Sequence, residues 1–107
     1  MNEFQEKAIG MIEAQQEKTR YHSNPWLVGE QLKDICRMEP RSAELIAQDL
    51  ENEAMSIVEA EKKIKAFAKK HGGGVSGIEA DQILREFYGL PAPDQAGDNV
   101  LRLEDFF

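Results

Sequence analysis

Ser56-Ile-Val-Glu-Ala-Glu-Lys-Lys-Ile-Lys-Ala-Phe-Ala-Lys-Lys-His71 and Ser76-Gly-Ile-Glu-Ala-Asp-Gln-Ile-Leu-Arg-Glu-Phe-Tyr88, joined by Gly72-Gly-Gly-Val75, decide the fold class. Each segment opens with a serine three residues before a glutamate. That is the spacing of a capping box, in which the hydroxyl accepts from the third amide and the carboxylate reaches back. Ile57, Ala60, Ile64, Phe67, Ala68 and His71 then recur at steps of three and four, one face of a helix. Ile78, Ile83, Leu84, Phe87 and Tyr88 supply the next apolar face. The glycines stop the first helix because glycine enters left-handed geometry freely, and Gly89 and Pro91 close the second. Two capped helices on so short a turn predict a core lined by Ile64, Phe67, Ile83, Leu84 and Phe87. On that reading Phe67→Ala costs about 3–5 kcal/mol.

The rest of the chain reads as helices separated by prolines. Met1 to about His22 predicts a first helix with Phe4, Ala8, Met11 and Ile12 inward. Its Gln5, Glu6, Glu13, Gln16, Glu17 and Lys18 are expected to face water. Asn24 suits an N-cap and Pro25 a first helical position, opening a second helix to about Met38. Val28, Leu32, Ile35 and Cys36 point one way on it. A third helix is expected over Arg41 to Leu50, after Glu39-Pro40, with Ala43, Ile46, Ala47 and Leu50 inward. Glu51 to Met55 reads equally as a link or as a kinked continuation.

With 107 residues the chain has room for one domain with a small core. A net charge of −7 argues against binding nucleic acid or an acidic membrane over the whole surface. No apolar run approaches membrane-spanning length, and no secretory signal pattern opens the chain. One cysteine, Cys36, excludes an internal disulfide framework, and a reducing cytoplasm is the expected location.

Chemistry-bearing patterns are scarce. His22 and His71 stand apart from each other and from Cys36, without metal-ligand spacing, so no metal is expected. Gly72-Gly-Gly74 lacks the Gly-Lys-Ser/Thr of a phosphate loop and the strand before it, so it reads as a structural turn. Cys36 lies on an apolar stripe and reads as a buried thiol. The carboxylates are scattered over helix faces rather than paired, so no enzyme and no cofactor is expected. The charge pattern says more. Glu44, Asp49, Glu51, Glu53, Glu59 and Glu61 form an acidic stretch without a basic residue, and Lys62, Lys63, Lys65, Lys69 and Lys70 follow. Lys62, Lys65 and Lys69 line one side of their helix and could bind a phosphate backbone locally. The competing reading is a solvated face, and it weighs more, because no arginine or aromatic residue interleaves the lysines.

The segment from Ile57 to His71, the glycine turn, and Glu79-Ala-Asp-Gln-Ile-Leu-Arg-Glu-Phe-Tyr88 together resemble the PcfK-like family of small proteins from bacterial conjugative plasmids and integrative elements. The likeness covers about a third of the chain, and Gly89-Leu-Pro91 stands where that family carries an acidic run. It implies a conjugation or phage context and brings no catalytic residues.

The C-terminal end is too apolar for a passive tail. Pro91-Ala-Pro-Asp-Gln-Ala-Gly-Asp98 has linker composition and leads to Val100-Leu-Arg-Leu-Glu-Asp-Phe-Phe107. The spacing of Val100, Leu103, Phe106 and Phe107 resembles peptides that dock on DNA sliding clamps, with Val100 where those carry Gln. Glu104 and Asp105 before a terminal Phe resemble the tail of bacterial single-stranded DNA-binding proteins, with Phe106 where those carry Pro. Alternatively, Leu101, Leu103, Phe106 and Phe107 fold back on the chain's own helices.

These readings combine into an all-α fold, a small irregular bundle of four to five short helices with a flexible C-terminal tail. A helical domain over 1–90, a linker over 91–99 and a docking tail over 100–107 are expected. The expected function is that of a non-enzymatic accessory protein of a mobile element, acting on replication, transfer or host-defence machinery. A protein partner would bind Leu101, Leu103, Glu104, Asp105, Phe106 and Phe107. A nucleic-acid module using Lys62, Lys65 and Lys69 is the alternative, and a homodimer is an open arrangement.

Overall fold

A computed structural model of the chain describes residues 1–91. The expected linker from 92 on and the tail over 100–107 lie outside the described residues. The described chain is an all-α bundle of α1 (Glu3–Gln16), α2 (Asn24–Met38), α3 (Pro40–Asp49), α4 (Ile57–Lys70) and α5 (Gly77–Tyr88). A 3-10 turn at Glu53–Met55 precedes α4, so residues 51–55 break the helix. Among the described residues there is no strand.

Local chemistry sets the helix ends. Ser76 accepts from the Glu79 amide at 3.1 Å and Glu79 accepts from the Ser76 amide at 3.0 Å, a complete capping box. Ser56 accepts from Glu59 in the same way at 3.3 Å. Past α4, Gly72 and Gly73 take φ of 93° and 108°, and the Gly73 amide donates to the Ala68 carbonyl at 2.6 Å. Gly89 (φ 66°) lets the Leu90 amide donate to Arg85 at 2.7 Å. These local turns satisfy carbonyls that a helix end leaves open. Two N-terminal expectations need correction. The first helix stops at Gln16 rather than near His22: Thr19 Oγ1 donates to the Gln16 carbonyl at 2.9 Å and His22 enters left-handed geometry at φ 65°. The cap of α2 is Ser23, not Asn24.

The core sits elsewhere than the sequence suggests. It is built from Ala8 and Ile12 of α1, Val28, Leu32, Ile35 and Cys36 of α2, and Ala43, Ile46 and Ala47 of α3. Leu50, Ile57, Ala60, Leu84 and Tyr88 complete it. Of the five residues expected to line it, only Leu84 is fully buried. Ile64 and Phe87 pack against its edge, and Phe67 and Ile83 are half-buried outside it. The reason is packing order. α1 lies against both α2 and α3, α4 leans on α2, and α5 follows α4. Alanines on α1, α3 and α4 let the backbones close up, and Ile57, Leu84 and Tyr88 reach the core from α4 and α5 while Ile64, Phe67, Ile83 and Phe87 remain at its rim. Phe4, expected inward, is exposed.

Glutamines of α1 bind the other helices. Gln5 and Gln16, expected in water, are buried. Gln5 Nε2 donates to the carbonyls of Cys36 (2.8 Å) and Arg37 (3.0 Å), open acceptors at the end of α2. Gln16 Nε2 donates to the Trp26 carbonyl at 2.8 Å and to Glu30 at 3.0 Å. A Cβ on Gly29 would come within 2.7 Å of that nitrogen, so any side chain there would displace Gln16 from its bonds. Gln15 Oε1 accepts from the Ile57 amide at the start of α4, at 2.8 Å.

α5 is clamped by Arg85. Its guanidinium, 8% exposed, donates to both oxygens of Glu39 at 2.9 and 2.7 Å. Asp81 Oδ2 accepts from Nε at 2.7 Å and the Pro91 carbonyl from Nη1 at 2.9 Å. Ser42 Oγ adds a third bond to Glu39 at 2.7 Å. Burial works against the Glu39 carboxylate, but the bonds from Arg85 and Ser42 prevail and hold its pKa below the ordinary 4.5.

Leu32→Ala is expected to cost about 2–5 kcal/mol, measured by urea unfolding, and half-buried Phe67→Ala clearly less than the 3–5 kcal/mol of a core phenylalanine. Equal costs would place the core wrongly. Glu39 also fixes an acid dependence. Its contribution is complete above the unfolded carboxylate pKa near 4.5 and fades as pH falls through the lower folded value. Melting temperature should therefore fall below about pH 4.5, and Glu39→Gln should reduce that fall.

Candidate functional site

Ser56 caps the start of α4, and Ile57, Ala60 and Glu61 are its buried residues, which leaves its lysines outward. Lys62, Lys65 and Lys69 are all exposed, as are Lys63 and Lys70. Lys62 pairs with Glu59 at 3.0 Å, an exposed contact of little strength. Lys65 and Lys69 make no ion pair among the described residues, and Lys69 sits in the last turn, where the helix dipole favours positive charge.

Beside this face runs an open groove of about 520 Å³, between α2, α4 and the beginning of α5. Leu27, Val28, Ile64 and Ala68 make apolar walls, and Glu61 and Lys65 supply charge. Gln31 Nε2 reaches the Gly77 carbonyl at 3.5 Å across it, joining α2 to α5. Glu61 is buried, unlike its neighbours Lys62 and Lys63. Its place in the acidic stretch from Glu44 on does not announce that burial. The available signal was its position: 57, 61, 64 and 68 fall on one helical face.

A second cleft, of about 440 Å³, lies over the turn after α1. Tyr21 stacks on His22 with centroids 3.8 Å apart, and Trp26 meets them edge-on at 4.8 and 5.0 Å. Lys33 Nζ bonds Glu30 at 2.8 Å and Glu13 at 3.4 Å beneath them. The bonds from Lys33 and then Gln16 lower the Glu30 pKa. This cleft is polar, and Lys33 is shared between two of its three carboxylates.

Cys36 is fully buried, and burial pushes its thiol up to about 12, so the nucleophilic thiolate is scarce at neutral pH. Among the described residues no group of three His, Cys, Asp or Glu side chains is placed to hold a metal ion. None of the described helices is long and apolar enough to cross a membrane. The expected partner residues Leu101, Leu103, Glu104, Asp105, Phe106 and Phe107 lie outside the described residues. No family model matches the chain, and no curated protein or solved structure matches it either.

Proposed function

We propose that the chain is a non-enzymatic, cytoplasmic accessory protein of a bacterial mobile element that works by binding another protein through its C-terminal end. The observation that carries the reading is a mismatch of chemistry. Phe106 and Phe107 are too apolar to remain in water, and the core of the described residues is formed between Ala8 and Tyr88. Burying each such side chain is worth about 1.5–3 kcal/mol. Glu104 and Asp105 at the rim would steer toward basic residues of a partner. The PcfK-like pattern of residues 57–88 supports the mobile-element setting, and the inert Cys36 fits a protein without nucleophilic chemistry.

The second reading is a nucleic-acid module. It is supported by Lys65 and Lys69, which are exposed and not engaged in ion pairs among the described residues.

The two separate in one comparison. The immobilised full chain should retain a defined protein from cells carrying the encoding element, and Phe106→Ala/Phe107→Ala should lose it with the melting temperature unchanged. Identical capture by both chains contradicts the leading reading. Salt-sensitive binding of a labelled DNA duplex, abolished by Lys65→Glu/Lys69→Glu, would favour the second.

A further inference from the structure

The groove between α2, α4 and α5 holds a carboxylate that forms no ion pair among the described residues. Glu61 is 7% exposed and lines it. Whereas Glu59 is bonded to Lys62, no hydrogen bond or ion pair reaches the Glu61 carboxylate among the described residues. Lys65, one turn further on, lines the same groove and does not pair with it. A buried charge is strongly unfavourable until it is paired. Leu27, Val28, Ile64 and Ala68 give the groove apolar walls, and Leu27 leaves 49% of its surface in solvent. This groove therefore fits a cation flanked by apolar side chains, followed by negative charge near Lys65 and Lys69.

The chain carries that pattern itself. Arg102 is the one cationic residue after Arg85, and it stands between Leu101 and Leu103 with Glu104 and Asp105 next. Reach is sufficient. The groove touches Ser76, Gly77 and Ala80 at the beginning of α5, and Pro91 follows its far end. A 12-residue helix is about 18 Å long. The eight residues 92–99 span up to about 26 Å when extended.

We propose that residues 100–105 of the same chain dock in this groove. Arg102 pairs with Glu61, Leu101 and Leu103 cover Leu27 and Ile64, and Glu104 and Asp105 face Lys65 and Lys69. The docking concerns the isolated chain, so it stands or falls independently of any partner.

Carbodiimide cross-linking of the full chain, read by mass spectrometry on the monomer band, tests it. The expected product is a zero-length link within one chain between Lys65 or Lys69 and Glu104 or Asp105. Arg102→Glu should abolish the link although it makes the tail more acidic, whereas mere attraction to the lysines would strengthen it. Leu101→Ser/Leu103→Ser, which leaves the helical domain untouched, should abolish it too. Glu61→Gln, isosteric and without charge, should reduce it. No link in the wild-type chain, an undiminished link in Arg102→Glu, or links found only between chains would overturn the proposal. The last outcome would assign the groove to a second copy.

Discussion

The ion pair between buried Arg85 and partly buried Glu39 is the contact on which the placement of α5 against the other helices rests. Glu39 is both the last cap of α2 and the first cap of α3, with extended backbone at φ −133°. It makes no side-chain cap, so its carboxylate is available for a helix 46 positions later. Burying two charges is costly, and the cost is offset only when the remaining donors and acceptors are satisfied. Here Asp81, Ser42 and the Pro91 carbonyl satisfy them. α5 otherwise depends on Leu84, Tyr88 and the partly buried Phe87. The Tyr88 hydroxyl helps by donating to the Met55 carbonyl at 2.8 Å. Because α5 forms one side of the groove that holds Glu61, the clamp also sets the geometry of the candidate site.

Polar anchoring compensates for a small core. A chain of this size buries a modest fraction of its apolar surface. Several core positions are alanine, which contributes little burial but permits close helix approach. Gln5, Gln15 and Gln16 add directional bonds from α1 to α2 and α4. Each buried bond is worth about 1 kcal/mol net, and the groups left open without it would cost more.

Features decided by a few neighbouring residues were legible in the sequence. Ser56, Ser76, the glycines after α4 and Gly89 mark helix ends because capping is local chemistry. The all-α class followed from them. What was not legible is order in depth. Periodicity shows which side of a helix is apolar, but not which helix lies at the centre, so it puts Phe67 and Ile83 inside and Gln5 and Gln16 outside. The glutamines pair with backbone groups 10 or more positions away, which no local pattern announces. At the candidate site, the outward face of Lys62, Lys65 and Lys69 was readable from a helical wheel. Glu61 was not, because a charged residue on an apolar face is read as solvated unless the neighbouring helix is known.

Native-state hydrogen exchange across α5 tests most directly whether the Arg85–Glu39 clamp holds that helix to the bundle. With the clamp intact, the amides of Leu84 and Tyr88 should exchange through the same global opening as those of Leu32 and Ile46. Removing the charge with Glu39→Gln should let α5 open separately, with its protection falling further than that of α1, α2 and α3. If α5 exchanges freely in the wild-type protein, or if Glu39→Gln lowers all helices equally, the clamp does not organise the fold.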